Sequence, residues 1–178
     1  MRTLSVQRDG DSIQVGEHIH LSFLRTLRLP DDGKVYPLPP GFSRFPLVRV
    51  EDYADRVPTD WRAKGGFIMP MYQREALWLS FSAPHWRPNV LKVAAGGINA
   101  ATGGPLTDTL LGDTDARNRE SSTPVQDYLV VPEQPWLDGF KTAPNQVRQL
   151  VAMPPRMGYA VEGQLTGKEP GAGSAMLV

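Results

Sequence analysis

Two of the chain's three histidines, His18 and His20, stand two positions apart in the run Glu17-His18-Ile19-His20. On a β-strand successive side chains point to opposite faces. The two imidazoles therefore share one face, about 7 Å apart at the backbone, close enough to hold one divalent transition metal. A metal centre needs a third ligand. Glu17 lies on the opposite face of a regular strand unless a bulge at Gly16 turns it, and His85 sits far along the chain in a turn-rich segment. The favoured reading is two histidines solvated or hydrogen-bonded on the polar face of a sheet, with His18, His20 and His85 as the metal-binding alternative.

A second group sets aromatic rings beside charge. Glu133 and Asp138 flank Trp136 in EQPWLDGF, and Trp86 lies between His85 and Arg87. Carboxylate pairs perform acid and base work on glycosidic bonds, and an indole face stacks on a sugar ring. Trp86, Trp136, Asp138 and Glu133 are thus the candidate ligand-binding residues, for a small molecule or glycan that the residues do not name. The plainer account has both tryptophans filling space beneath loops.

Other motifs fail. GQLTGKE at 163–169 is one residue short of a phosphate loop and carries Glu169 where a hydroxyl would hold magnesium. GFSRF at 41–45 lacks the second glycine of a nucleophile elbow, and Gly171-Ala172-Gly173 has no third glycine. No catalytic residue is assigned.

The elements that would position these groups are mostly strands. Residues 18–29, HIHLSFLRTLRL, alternate apolar odd positions with polar even ones, broken by Arg25 and Leu24. Before this strand, residues 3–16 read as a hairpin with a type I′ turn at Asp9-Gly10, pairing Arg8 with Asp11, Val6 with Ile13 and Leu4 with Val15. Residues 34–49 carry four prolines and read as an extended segment across the body, anchored by Tyr36, Phe42 and Phe45. Helices are expected at 50–57 and from Thr59 or Asp60 to Lys64, closed by Gly65-Gly66.

The end of 67–81 reads as a strand with Leu77, Leu79 and Phe81 inward, pairing with a strand at 89–95. Residues 96–126 read as a long surface loop, flexible over about 103–123. Further short strands are expected at 127–131, 146–153 and 159–166, with a turn-rich loop over 132–140 and an edge strand or frayed end at 175–178. The echo of HLSFLR in WLSFSA reads as two core strands using one pattern.

Composition narrows the classes. A chain of 178 residues fits a single β-rich domain, 1–178, and its 17 glycines and 17 prolines imply many turns. Nineteen basic residues balance nineteen acidic ones, so no positive field exists to hold nucleic acid. The absence of cysteine excludes disulfides and thiolate chemistry. No window reaches the roughly 18 apolar residues of a membrane span, and MRTLSVQRDGDS lacks the apolar run of a secretion signal. A cytoplasmic location is the expectation.

At 69–81 (MPMYQREALWLSF), 134–139 (QPWLDG) and 158–167 (GYAVEGQLTG) the chain resembles a bacterial protein family with no established activity. The resemblance implies a recurring domain and transfers no functional residue. The His-x-His pair resembles that of cupin metal sites, but Ser22, Phe23, Leu24 and Arg25 occupy the space where the cupin glutamate should follow.

These readings converge on a mainly β fold, an antiparallel β-sandwich or jelly-roll-like barrel with one or two short helices at one edge. The expected function is a non-enzymatic binding or structural domain without a cofactor, acting with a protein partner or by self-association in a homo-oligomer or larger assembly. A cupin-like metal-dependent enzyme using His18 and His20, and a carbohydrate-binding β-sandwich, are the alternatives.

Overall fold

The computed structural model describes residues 4–30, 32–110 and 126–154, together with 163, 167 and 176–177. The strands, in chain order, are β1 Val6–Asp9, β2 Ser12–Val15, β3 Ile19–Thr26, β4 Val48–Arg49, β5 Phe67–Ile68, β6 Ala76–Ser82, β7 Asn89–Leu91, β8 Ala94–Ala95, β9 Ile98–Asn99, β10 Leu129–Val131, β11 Trp136–Leu137, β12 Gly139–Ala143, β13 Gln146–Val151 and β14 Met176–Leu177. A 3-10 turn at Glu51–Tyr53 and the helix α1, Thr59–Lys64, complete the described elements. The protein is mainly β, its sheets antiparallel and open. The chain forms two compact units: Met1–Asn89 with Val131–Asp138 and Gln149–Met153, and Val90–Val130 with Gly139–Arg148 and Pro154–Val178.

The first unit is built around the pairing of β3 with β6. Leu21 faces Phe81, Phe23 faces Leu79 and Ser22 faces Ser80, so the echoed sequences are neighbouring antiparallel strands. Apart from Arg25, the odd positions of both strands are core: Ile19, Leu21, Phe23, Leu77, Leu79 and Phe81 are all buried. Each such side chain contributes roughly 1.5–3 kcal/mol on removal from water.

Both strands share out their remaining edges. The outer edge of β3 pairs with β2 through Ile19–Ser22 and then with the proline-rich segment, where Arg25 N–H donates to Ser43 O and Phe45 N–H to Phe23 O. The far edge of β6 takes β13 at Ala76 and Leu77, and β11 at Leu79 and Ser80. Two expectations are corrected here. β7 does not pair with β6, whose edges are full, but with β10. Residues 132–140 are not all loop, because β11 adds to β6 and β12 begins at Gly139.

The hairpin exists in another register. Asp9 faces Ser12 and Val6 faces Val15 across a two-residue turn, Gly10-Asp11. Gly10 alone takes positive φ, 58°, as a type II′ turn requires. A two-residue shift of partners preserves the faces, so Val6 still shares a face with Ile13 and Val15. Leu4 and Val6 are nevertheless exposed, because β1 is the edge of the sheet.

In the proline-rich segment Phe45 and Leu47 are buried, whereas Phe42 is exposed. Arg25 holds this segment down. Its guanidinium lies 4.1 Å from the centre of the Phe45 ring, donates to Glu75 Oε1 at 3.2 Å, and donates to Arg44 O at 3.0 Å. The helix expected over 50–57 shortens to the 3-10 turn; α1 forms where expected, and its chain exits through Gly65 and Gly66, both at positive φ.

The second unit corrects the reading of 96–126 as one loop. β8 and β9 form a hairpin through Gly96-Gly97, both at positive φ, with Ile98, Asn99 and Ala100 buried. β14 pairs with β8, as an edge strand at the chain's end would. β12 and β13 are neighbours joined through Asn145, at φ 60°. Of the loop expected over 103–123, residues 111–123 lie outside the described residues, as does the strand expected at 159–166 apart from Gly163.

Candidate functional site

Antiparallel pairing of β3 and β6 places the start of one beside the end of the other, with His20 opposite Ser82. The turn after β6 therefore meets His18. This turn is closed by Arg87 N–H donating to Pro84 O, which fixes Trp86 and Arg87 side by side. Trp86 meets the His18 ring edge to face, with centroids 5.6 Å apart and planes at 70°. Arg87 Nη1 lies 2.8 Å from His18 Nε2. A guanidinium can only donate, so Nε2 accepts and the ring proton sits on Nδ1. Glu17 Oε2 lies 3.5 Å from the same nitrogen. His85 takes a different partner, Glu133 Oε1, 3.7 Å from its Nδ1.

His20 is placed apart from this cluster. Its Nδ1 lies 3.9 Å from Asp9 Oδ2. The arrangement works against shared ligation, because a cationic guanidinium occupies the His18 lone pair. Among the described residues, no three His, Asp or Glu side chains are placed to hold one metal ion. Trp86 and Trp136 are exposed, so neither fills space beneath a loop. Trp136 faces Ser80 across the β11–β6 pair. Asp138, also exposed, follows β11, and its carbonyl accepts from Leu150 N–H.

A separate open pocket of about 590 Å³ is lined by Arg8, Val48 and residues 51–56. Its acidic and basic groups are mixed, without a convergent set.

The second unit holds a polar cluster that the sequence did not disclose. Lys92 Nζ lies 2.5 Å from Asp127 Oδ2, and both side chains are largely buried. The same ammonium donates to Thr107 O and Oγ1 and to Thr109 O, at 3.0, 3.1 and 2.6 Å. Beside it Asn99, fully buried, donates to Asp127 O and accepts from Ala101 N–H and Thr102 N–H. Polar residues within a glycine- and threonine-rich stretch were the available signal, but the 35-residue separation of Lys92 and Asp127 conceals their pairing. Carbonyl, hydroxyl and carboxylate oxygens surround the ammonium, so the cluster ties Thr107 and Thr109 to Asp127 and is an anchor for 96–110.

Among the described residues no helix is long and apolar enough to cross a membrane. No family model, no curated protein and no solved structure matches the chain.

Proposed function

We propose that the chain is a non-enzymatic binding or structural β-domain, of sandwich type, that associates with a second copy of itself or a protein partner through the free edge of β1. The observation that carries this reading is the state of that edge. Among the described residues β1 ends the sheet order, and Leu4 and Val6 are 59% and 52% exposed. Asp9 and Ser12 close the hairpin, and Gly16 N–H donates to Ser5 O. Odd residues of β1 thus bond inward to β2, and the backbone groups of Val6 and Arg8 point outward. Unpaired N–H and C=O groups beside exposed apolar side chains form a template for another strand.

Light scattering after size exclusion at several concentrations tests this. Self-association that rises with concentration is expected, and Val6→Pro should abolish it by removing one outward N–H without touching the β1–β2 ladder. A strict monomer at every concentration, with no partner retained on affinity purification, overturns the proposal.

A further inference from the structure

We propose that the polar face of the first unit's sheet binds a neutral, polyhydroxylated ligand of the oligosaccharide class, with Trp136 as the stacking surface and His20, Gln14, Asp9 and Ser82 as hydrogen-bonding groups. This face is distinct from the β1 edge. The register assembles it in rows: Gln14, His20 and Ser82 lie across β2, β3 and β6, and the next row runs Ser12, Ser22, Ser80 and Trp136 across β2, β3, β6 and β11. Asp9, opposite Ser12, extends the second row on β1. One end of the face is bounded by Leu24 and Trp78, which pair across the same strands.

The chemistry of the face selects its ligand. Trp136 is 52% exposed, and its cross-strand neighbour Ser80 is too small to cover an indole. Ser12 and Ser22 are buried and satisfy one another at 2.8 Å, so the groups open to a ligand are those on either side of them. The others have capacity to spare: among the described residues the side chains of Ser80 and Ser82 make no hydrogen bond, and His20 and Asp9 stand 3.9 Å apart, beyond hydrogen-bond reach. Gln14 makes one long bond, 3.5 Å, to Glu17 O.

No lysine or arginine belongs to these rows, since Arg8 faces Ile13 on the opposite face. Among the described residues, the paired positions of these rows therefore offer no ammonium or guanidinium to a phosphorylated or carboxylated ligand. Open hydroxyl, amide, imidazole and carboxylate groups beside an aromatic ring instead match alternating hydroxyls and C–H faces of a sugar. From β2 to β11 there are three strand spacings, about 14 Å, the length of a short oligosaccharide.

The test is titration of the full chain with short β-linked glucose, N-acetylglucosamine and mannose oligomers and with maltooligosaccharides, read by tryptophan fluorescence and by calorimetry. Saturable binding of at least one oligomer is expected, weakened about tenfold or more by Trp136→Ala and severalfold by His20→Ala or Ser82→Ala, each variant retaining the native circular dichroism. Val6→Pro should bind sugar like the unaltered chain, which separates this site from the β1 edge. Absence of binding across the panel overturns the proposal. So does binding lost in Trp86→Ala but unaffected by Trp136→Ala.

Discussion

Replacing Lys92 by methionine removes the ammonium from its cage while keeping much of the side-chain volume. The lysine side chain is 12% exposed and its partner carboxylate 4%, so water replaces little of what is lost. Removing one partner of a buried ion pair costs about 3–5 kcal/mol. The lost contacts to Thr107 and Thr109 add less, because those residues are exposed and water takes over. A total near 4 kcal/mol, with a urea dependence of about 2 kcal/mol per molar, moves the unfolding midpoint down by about 2 M. Urea titration followed by circular dichroism reads this directly. The double variant Lys92→Met/Asp127→Asn should recover a large part of the loss, because the carboxylate left behind carries much of the penalty. A midpoint shift below about 0.5 M for Lys92→Met, or a double variant as impaired as the sum of its parts, would refute the assignment of the pair as the anchor of this unit.

Trp78 Nε1 is buried without a hydrogen-bond partner among the described residues. Trp78→Phe removes that donor, whose burial costs about 1–3 kcal/mol, while opening space beside Gly41; the net change in urea-derived stability should stay within about 1 kcal/mol, and a loss above about 3 kcal/mol would contradict it. At Gly139 an added methyl would meet the Arg148 carbonyl oxygen, with Val147 Cγ1 2.8 Å away, so Gly139→Ala should cost at least about 2 kcal/mol by thermal or chemical unfolding. Gly41→Ala meets the Trp78 ring edge, which can move, and should cost less.

The Tyr36 hydroxyl donates to Asp32 Oδ2 at 2.8 Å, which raises the phenol above its ordinary pKa of 10.0 and lowers the Asp32 carboxyl below 3.8. The Tyr36 contribution to stability is complete below pH 10.0 and is lost as pH rises through the elevated value; that of Asp32 is present above pH 3.8 and is lost as pH falls through the depressed one. Alkaline absorbance titration should show the Tyr36 transition returning toward its ordinary position in Asp32→Asn. An unchanged transition would show that the bond does not form in solution.

What the sequence disclosed was the face of each strand, and what it concealed was the neighbour. A period of two assigns Ile19, Leu21 and Phe23 to one side and His20 and Ser22 to the other whatever strand lies alongside, because the alternation belongs to the backbone. Pairing depends on which edges remain free. The four prolines of residues 34–49 exclude a central strand, yet nothing in them indicates that Phe42–Phe45 would continue the β3 edge where β2 stops; the bonds fall on Phe42, Ser43 and Phe45, between the prolines. Likewise Asp9-Gly10 marks a turn, but the choice between two registers turned on whether one or two residues would adopt positive φ.

The same distinction governs the candidate site. His18 and His20 share a strand parity, and spacing alone makes them equivalent. Position along the strand separates them: His18 lies before β3, within reach of the turn after β6, and gives its Nε2 to Arg87, while His20 lies inside the ladder opposite Ser82. Trp86 and Trp136 are alike as aromatic residues beside charge, yet one belongs to that turn and the other to a sheet row made of serines. A strand's period can nominate the polar face, but only the cross-strand register brings Gln14, His20, Ser82 and Trp136, from four strands, onto it together. The chemistry of this face is therefore a property of the pairing, and substitutions that shift register should abolish ligand binding even where every named side chain is kept.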